Sequence, residues 1–302
     1  MNKKPLHIHW FRRDLRLSDN PALAKCAVNG DVLPIFILDD CNAGSQEPGA
    51  VSRVWLHHSL LALNKSLNGA LRVFKGNPIE IIPKLISETG ANGVYWNRCY
   101  EPWQIERDRI IKLTLRDKNI ECESFNGSLL WEPWDILKKD GTPYKVFTPF
   151  YRRGCLSAKE PRIPISPPDD ITLSNKKIGM NDINDLELLP NLRWDQEVFE
   201  GWDIGEKAAN LKVIDFIENR LHDYKDGRNF PSKKNVSRLS PHLHFGEVSP
   251  NQVWYTASHP KYMNSTGLDH FLSELGWREF SHSLLYFFQI FQPKVCKHVL
   301  KL

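Results

Sequence analysis

Apolar residues along the first 130 positions fall into two alternating patterns. Short, nearly continuous runs read as buried strands at residues 6–10 (LHIHW), 32–38 (VLPIFIL), 71–74 (LRVF), 93–96 (GVYW) and 120–125 (IECESF). Between them, apolar positions recur at helical spacing. One set is Val54, Leu56, Leu60, Leu61, Leu63 and Leu67; others run from Ile79 to Ile86 and from Ile105 to Leu115. This alternation predicts an α/β domain over residues 1–130, with a doubly wound parallel sheet and helices on both faces. Residues 131–204 lose that rhythm and are rich in proline, from Pro133 to Pro168. They read as a long inter-domain connector, too long to be structureless and expected to pack against both of its neighbours. From Gly205 the pattern turns helical. An amphipathic helix is expected to end near Tyr224, followed by a polar loop through residue 250, a segment over 249–257 and a long helix over 268–288.

Composition narrows the class. The chain has 302 residues, 41% hydrophobic and 25% charged, as in ordinary soluble globular proteins. No apolar run approaches the roughly 20 residues needed to span a membrane. The first residues carry no apolar segment followed by a cleavage site, so no secretory signal is read. The six cysteines form no CxxC pair, which argues against a zinc knuckle or dithiol motif and for free thiols in a reducing cytoplasm. No GxGxxG follows the first strand and no GxxxxGK[ST] occurs, so the usual dinucleotide and nucleoside-triphosphate signatures are absent. A sheet of this kind still binds ligands beyond the carboxyl ends of its strands. That edge carries Phe11, Arg12, Arg13 and Asp14, then Asp39 and Asp40, then Asn97, Arg98 and Glu101.

Charge is placed unevenly. There are 40 Lys+Arg against 36 Asp+Glu, and the whole excess of four lies after residue 204. Lys225, Arg228, Lys233, Lys234 and Arg238 cluster against Asp226 alone. Such a run is either a solvated loop or a phosphate-attracting patch. Ser232, Asn235, Ser237 and Ser240 lie among these cations, and that mixture of hydroxyls and guanidinium groups suits a phosphate cradle. His242 and His244 read as two rings on one side of an extended segment; without a third ligand nearby, no metal is expected. Farther on, helical spacing places Phe271, Glu274, Trp277, Arg278 and Ser281 on one face. The plain reading of Glu274 and Arg278 is an i,i+4 pair; the alternative is that this carboxylate and guanidinium, with the Trp277 indole on the same face, suit an aromatic ligand with polar edges or an unstacked base.

Four segments together resemble the DNA photolyase and cryptochrome family: residues 10–23 (WFRRDLRLSDNPAL), 144–153 (YKVFTPFYRR), 238–250 (RLSPHLHFGEVSP) and 271–280 (FLSELGWREF). The resemblance spans essentially the whole chain. It implies an N-terminal α/β antenna domain, the connector, and over 205–302 the first part of an all-α FAD-binding domain. It implies FAD contacts from Tyr224, Val236, Ser237, Arg238, Leu239, Ser240, Phe271, Glu274 and Arg278. Trp277 matches the tryptophan that stacks on the flipped lesion, so Trp277 and Glu274 are the implied catalytic residues. Arg228, Trp277 and Arg278 are the implied contacts to damaged DNA.

The implied reaction is light-driven repair of cyclobutane pyrimidine dimers by electron transfer from reduced FAD. The same resemblance leaves open a cryptochrome-type blue-light photoreceptor or a (6-4) photolyase. Some members also bind an antenna, methenyltetrahydrofolate or a deazaflavin. Residues 100–108 lack the expected folate pair, whereas Cys296, Lys297 and His298 look like a folate-proximal tripeptide, and the antenna stays unassigned. A monomer in the cytoplasm is expected. Because the family's helical domain normally continues beyond this point, the 302 residues alone are expected to hold FAD weakly or not at all.

Overall fold

The computed structural model describes residues 4–180 and 182–288. Five parallel strands, β1 (Leu6–Phe11), β2 (Asp31–Leu38), β3 (Arg72–Lys75), β4 (Gly93–Asn97) and β5 (Glu121–Phe125), are ordered β3-β2-β1-β4-β5. The order reverses between β1 and β4, which defines a doubly wound sheet with its switch point at Phe11 and Asn97. Helices α1 (Pro21–Asn29), α2 (Ala50–Ser66), α3 (Pro78–Thr89) and α4 (Pro102–Arg116) make the crossovers. Three of them start on a proline, whose missing N–H costs nothing in a first turn. The side chains of Asn20 and Asn77 cap the first turns of α1 and α3.

Both faces of the sheet are covered, which is why its strands read as continuous apolar runs. Ile8, Trp10, Leu33, Ile35, Val94 and Trp96 pack on Ile82, Leu85, Ile111 and Leu115 of α3 and α4. Phe11, Val32, Phe36 and Tyr95 pack on Leu23, Leu56, Leu60 and Leu63 of α1 and α2. Each such aliphatic side chain stabilises the fold by about 1.5–3 kcal/mol when fully buried.

The connector packs in two directions. Its residues 172–174 bond to Val32 on β2, and Met180 bonds to Val73 on β3. Its other half belongs to a third core, where Trp131, Phe150, Tyr151 and Cys155 join Val213, Phe216, Phe271 and Phe280. Hydrogen bonds from Tyr255 Oη to the Pro161 carbonyl (2.6 Å) and from Asn251 to the Arg162 carbonyl (2.7 Å) tie it to helix Pro250–Ala257.

Three local expectations are corrected. The helix starting after Gly205 spans Glu206–Asn219 and stops before Tyr224. A single tight turn over Leu221–Asp223 follows it, and the His222 carbonyl accepts from the Thr266 hydroxyl (2.7 Å). Residues 228–250 are not all loop: Ser240–Phe245 is a short helix, opened by Pro241 and closed by Gly246 in the left-handed region (φ 68°). The two histidines on it therefore do not share one side of an extended segment. His242 is buried against Glu247 (2.5 Å), while His244 faces a cleft. The long helix starts at Leu268, as its periodicity predicts, and is helical through Phe288, the last described residue.

Candidate functional site

Where the sheet's carboxyl edge meets the long helix there is a cleft of about 450 Å³. Its helical side consists of Tyr224, Ser237, Leu239, Ser240, Leu243, Phe271, Glu274, Leu275, Arg278 and His282. Its sheet side is Arg13, the run Arg98–Glu101, and Ser128. Phe271, Leu275, Arg278 and His282 recur at three- and four-residue steps, so one helical face supplies this wall.

Seven of the residues named from sequence thus meet in one place: Tyr224, Ser237, Leu239, Ser240, Phe271, Glu274 and Arg278. Four stand apart. Val236 is exposed outside the cleft. Arg238, held at φ 53°, lays its guanidinium 3.9 Å from the Trp202 ring. Trp277 lies on the flank of the helix with its ring stacked on Phe147, 3.7 Å between centroids. Arg228 stands at the rim, ion-paired with Glu274.

The expected Glu274–Arg278 pair is therefore not formed. Glu274 takes the long-range partner Arg228, and Arg278 bonds its neighbour Glu279 (3.1 Å). An exposed i,i+4 pair contributes only about 0.2–0.5 kcal/mol, so either alternative easily displaces it. Of the sheet-edge candidates, Arg13 and Glu101 pair across the cleft floor, while Arg12 is turned away to Asp108 (2.7 Å). Asp14 turns inward to Asn97 (2.6 Å), which ties the ends of β1 and β4 together.

Sequence reasoning passed over His282 and Ser128, and it weighed His244 only as half of a metal-binding pair that it set aside. His282 was findable, since it lies one helical turn beyond Arg278. Burial holds His244 and His282 down to about 4, so both rings are neutral near neutral pH. Burial works against the charge on Glu101, but the Arg13 guanidinium beside it prevails and keeps its carboxyl below the ordinary value. Cleft charge at neutral pH thus rests on three arginines (Arg13, Arg98 and Arg278) and two carboxylates, Glu101 and Glu274.

Behind the wall, Glu279 accepts from the backbone N–H groups of Leu130 (2.9 Å) and Trp131 (3.4 Å). Burial raises its carboxyl to about 7, against the opposing pull of Arg278 and these two donors. The folded protein therefore keeps a proton that the unfolded chain has lost. Stability from this group is full below the ordinary carboxylate value and declines as pH rises toward 7. Glu279→Gln is expected to flatten that decline, measured as urea midpoints at several pH values between 4.5 and 8. Parallel profiles for the two proteins would show that Glu279 is ionised throughout.

A second cleft of about 290 Å³ lies over the ends of β1 and β2, lined by Trp10, Asp39, Asp40, Trp103 and Arg107 among others. Arg107 is paired there with Asp39 (2.9 Å), both buried. Cys296, Lys297 and His298 fall outside the described residues. Among the described residues no helix is long and apolar enough to cross a membrane, and no group of three His, Cys, Asp or Glu side chains is placed to hold a metal ion.

The doubly wound sheet and the cleft at its carboxyl edge define a class, and comparison with known proteins gives it a family. The DNA photolyase family model matches residues 7–169. A deoxyribodipyrimidine photo-lyase of Agrobacterium fabrum is 41% identical over 287 residues, covering 93% of this chain and 59% of its own. Cryptochrome-2 of Arabidopsis thaliana is 35% identical over 305 residues, covering 95% of this chain and 49% of its own. A solved bacterial class III photolyase from Agrobacterium tumefaciens superposes with a TM-score of 0.88 at 39% identity, covering 96% of this chain and 60% of that one. The chain belongs to the DNA photolyase family, and it spans about half to three fifths of the length of these relatives.

Proposed function

We propose that this chain forms the flavin-facing wall and lesion rim of an enzyme that uses light to reverse cyclobutane pyrimidine dimers in DNA. The observation that carries this reading is the cleft itself, where the implied flavin residues of a photolyase-family chain converge from three separate segments.

The donor set fits FAD. The hydroxyls of Ser237 and Ser240 and the Arg278 guanidinium suit phosphates and polar ring edges, whereas Phe271, Leu239 and Leu275 suit flat apolar rings. Bound reduced FAD would supply light absorption and the transferred electron. The protein's own part is positioning. Phe271 and Leu275 bound the cofactor space, Glu274 is held by Arg228, and Trp277 presents an exposed indole beside the rim. Val236 and Arg238 then act by shaping the 236–240 turn rather than by lining the cleft. A damaged pair costs less to unstack than an intact one, which favours its capture by that indole. Arg228 and its basic neighbours supply contacts to the DNA backbone that weaken with salt. The protein is taken to work as a monomer in the cytoplasm.

Illuminating the chain with reduced FAD and ultraviolet-irradiated oligothymidylate tests the reading. Light-dependent return of thymine absorbance supports it. Lesion-independent binding without repair would instead favour the photoreceptor branch, to which cryptochrome relatives already point.

A further inference from the structure

Trp277 does not stand alone on the rim. Its ring lies face to face with Phe147, at 3.7 Å between centroids and 10° between planes. Phe147 in turn lies 5.6 Å and 9° from Tyr151. Three rings, two of them from the connector, therefore form a parallel ladder that runs outward from the core. Its inner rung is fixed, because Tyr151 is buried and packs so closely on Gly276 that a β-carbon there would strike the ring. Phe280 meets the indole edge-on (71°), which blocks rotation toward the core. The outer rung, Trp277, is 45% exposed.

An indole has two faces, and Phe147 covers one of them. We infer that Phe147 is a positioning residue for lesion recognition: it backs the Trp277 indole and leaves only the opposite face for an extruded pyrimidine, which then adds a fourth rung. The inference rests on the reading that Trp277 receives the flipped lesion, and it deepens that reading by bringing the connector into the recognition site. Stacking a base on an aromatic side chain is sequence-tolerant and depends on the ring being held flat and ready. A backed indole is ready before the base arrives. Without Phe147 the indole is free to turn, and part of the stacking gain goes to ordering it.

The test is the ratio of affinities for ultraviolet-irradiated and unirradiated oligothymidylate, measured with the full 302-residue chain. General weakening of the fold lowers both affinities and leaves the ratio unmoved, whereas loss of a held indole lowers the first alone. Phe147→Ala and Phe147→Leu are expected to reduce the ratio about tenfold. Phe147→Tyr keeps a flat ring and is expected to restore it. Should the alanine variant fail to fold, the leucine–tyrosine comparison decides, because leucine keeps bulk without a flat face. Ratios equal to wild type in both Phe147→Leu and Phe147→Tyr would overturn the inference while leaving the repair reading intact. A wild-type ratio near one would instead overturn the lesion-binding reading, and the inference with it.

Discussion

Replacing Arg16 by leucine is expected to lower folding stability by about 3–5 kcal/mol, a large share of what a domain possesses. Arg16 is 1% exposed, yet among the described residues no carboxylate hydrogen-bonds to it. Instead its guanidinium donates to four carbonyls: Ser18 (3.0 Å), Asp19 (2.7 Å), Gly127 (2.6 Å) and Gly246 (2.9 Å). These acceptors belong to the loop after β1, the turn after β5 and the end of helix Ser240–Phe245. A single side chain thus fastens the sheet to the helical half at the base of the cleft. Leucine fills the volume but leaves those carbonyls without their donor in a dry setting, at about 1–3 kcal/mol for each that finds no replacement. Lysine offers one ammonium where a planar fork is needed, so Arg16→Lys is expected to recover less than half of the loss. Urea unfolding of wild type, Arg16→Leu and Arg16→Lys measures this, with the exposed Arg116→Leu as the reference expected to change by under about 0.5 kcal/mol. An Arg16→Leu shift no larger than that reference would contradict the fastening role.

Arg278→Ala is expected to weaken FAD binding about 10- to 100-fold, because hydrogen bonds to a charged partner contribute roughly 1.5–3 kcal/mol each. One Nη of Arg278 is engaged by Glu279, and the rest of the guanidinium borders the cleft. Removing it also takes a cation from the buried Glu279 carboxyl, which raises that group further. Well below pH 7 Glu279 is already protonated, so affinities compared there separate ligand contact from the cost of a buried charge. Arg278→Lys retains the charge and should lose less. Equal affinities for wild type and Arg278→Ala would place the cofactor elsewhere.

The sheet and the long helix were legible because their signals are local. Strands covered on both faces must be apolar throughout, and the 21 described residues of the long helix repeat its period enough times to show it. Helix Ser240–Phe245 was missed because residues 228–250 were read as one polar loop. A proline in a first turn and a left-handed glycine just past the last are equally the start and stop of a short helix. The cleft was half legible. Its helical wall follows from one periodic face, but its floor pairs Arg13 with Glu101, brought together only because the strand order reverses between β1 and β4. Arg16 and Glu279 were illegible for a simpler reason. Both also bind backbone groups more than a hundred residues away, and no pattern of residue types records which carbonyl or N–H will lie opposite.

The proposed chemistry requires FAD to enter the cleft between the long helix and the sheet edge. Titrating FAD with the purified 302-residue chain, and following quenching of flavin fluorescence, tests that directly. The cleft lining favours the weak-binding branch of the sequence expectation over no binding: saturable binding of one FAD per chain, weaker again in Arg278→Ala, is the predicted result. No saturable quenching by wild type, or curves that Arg278→Ala leaves unchanged, would contradict it.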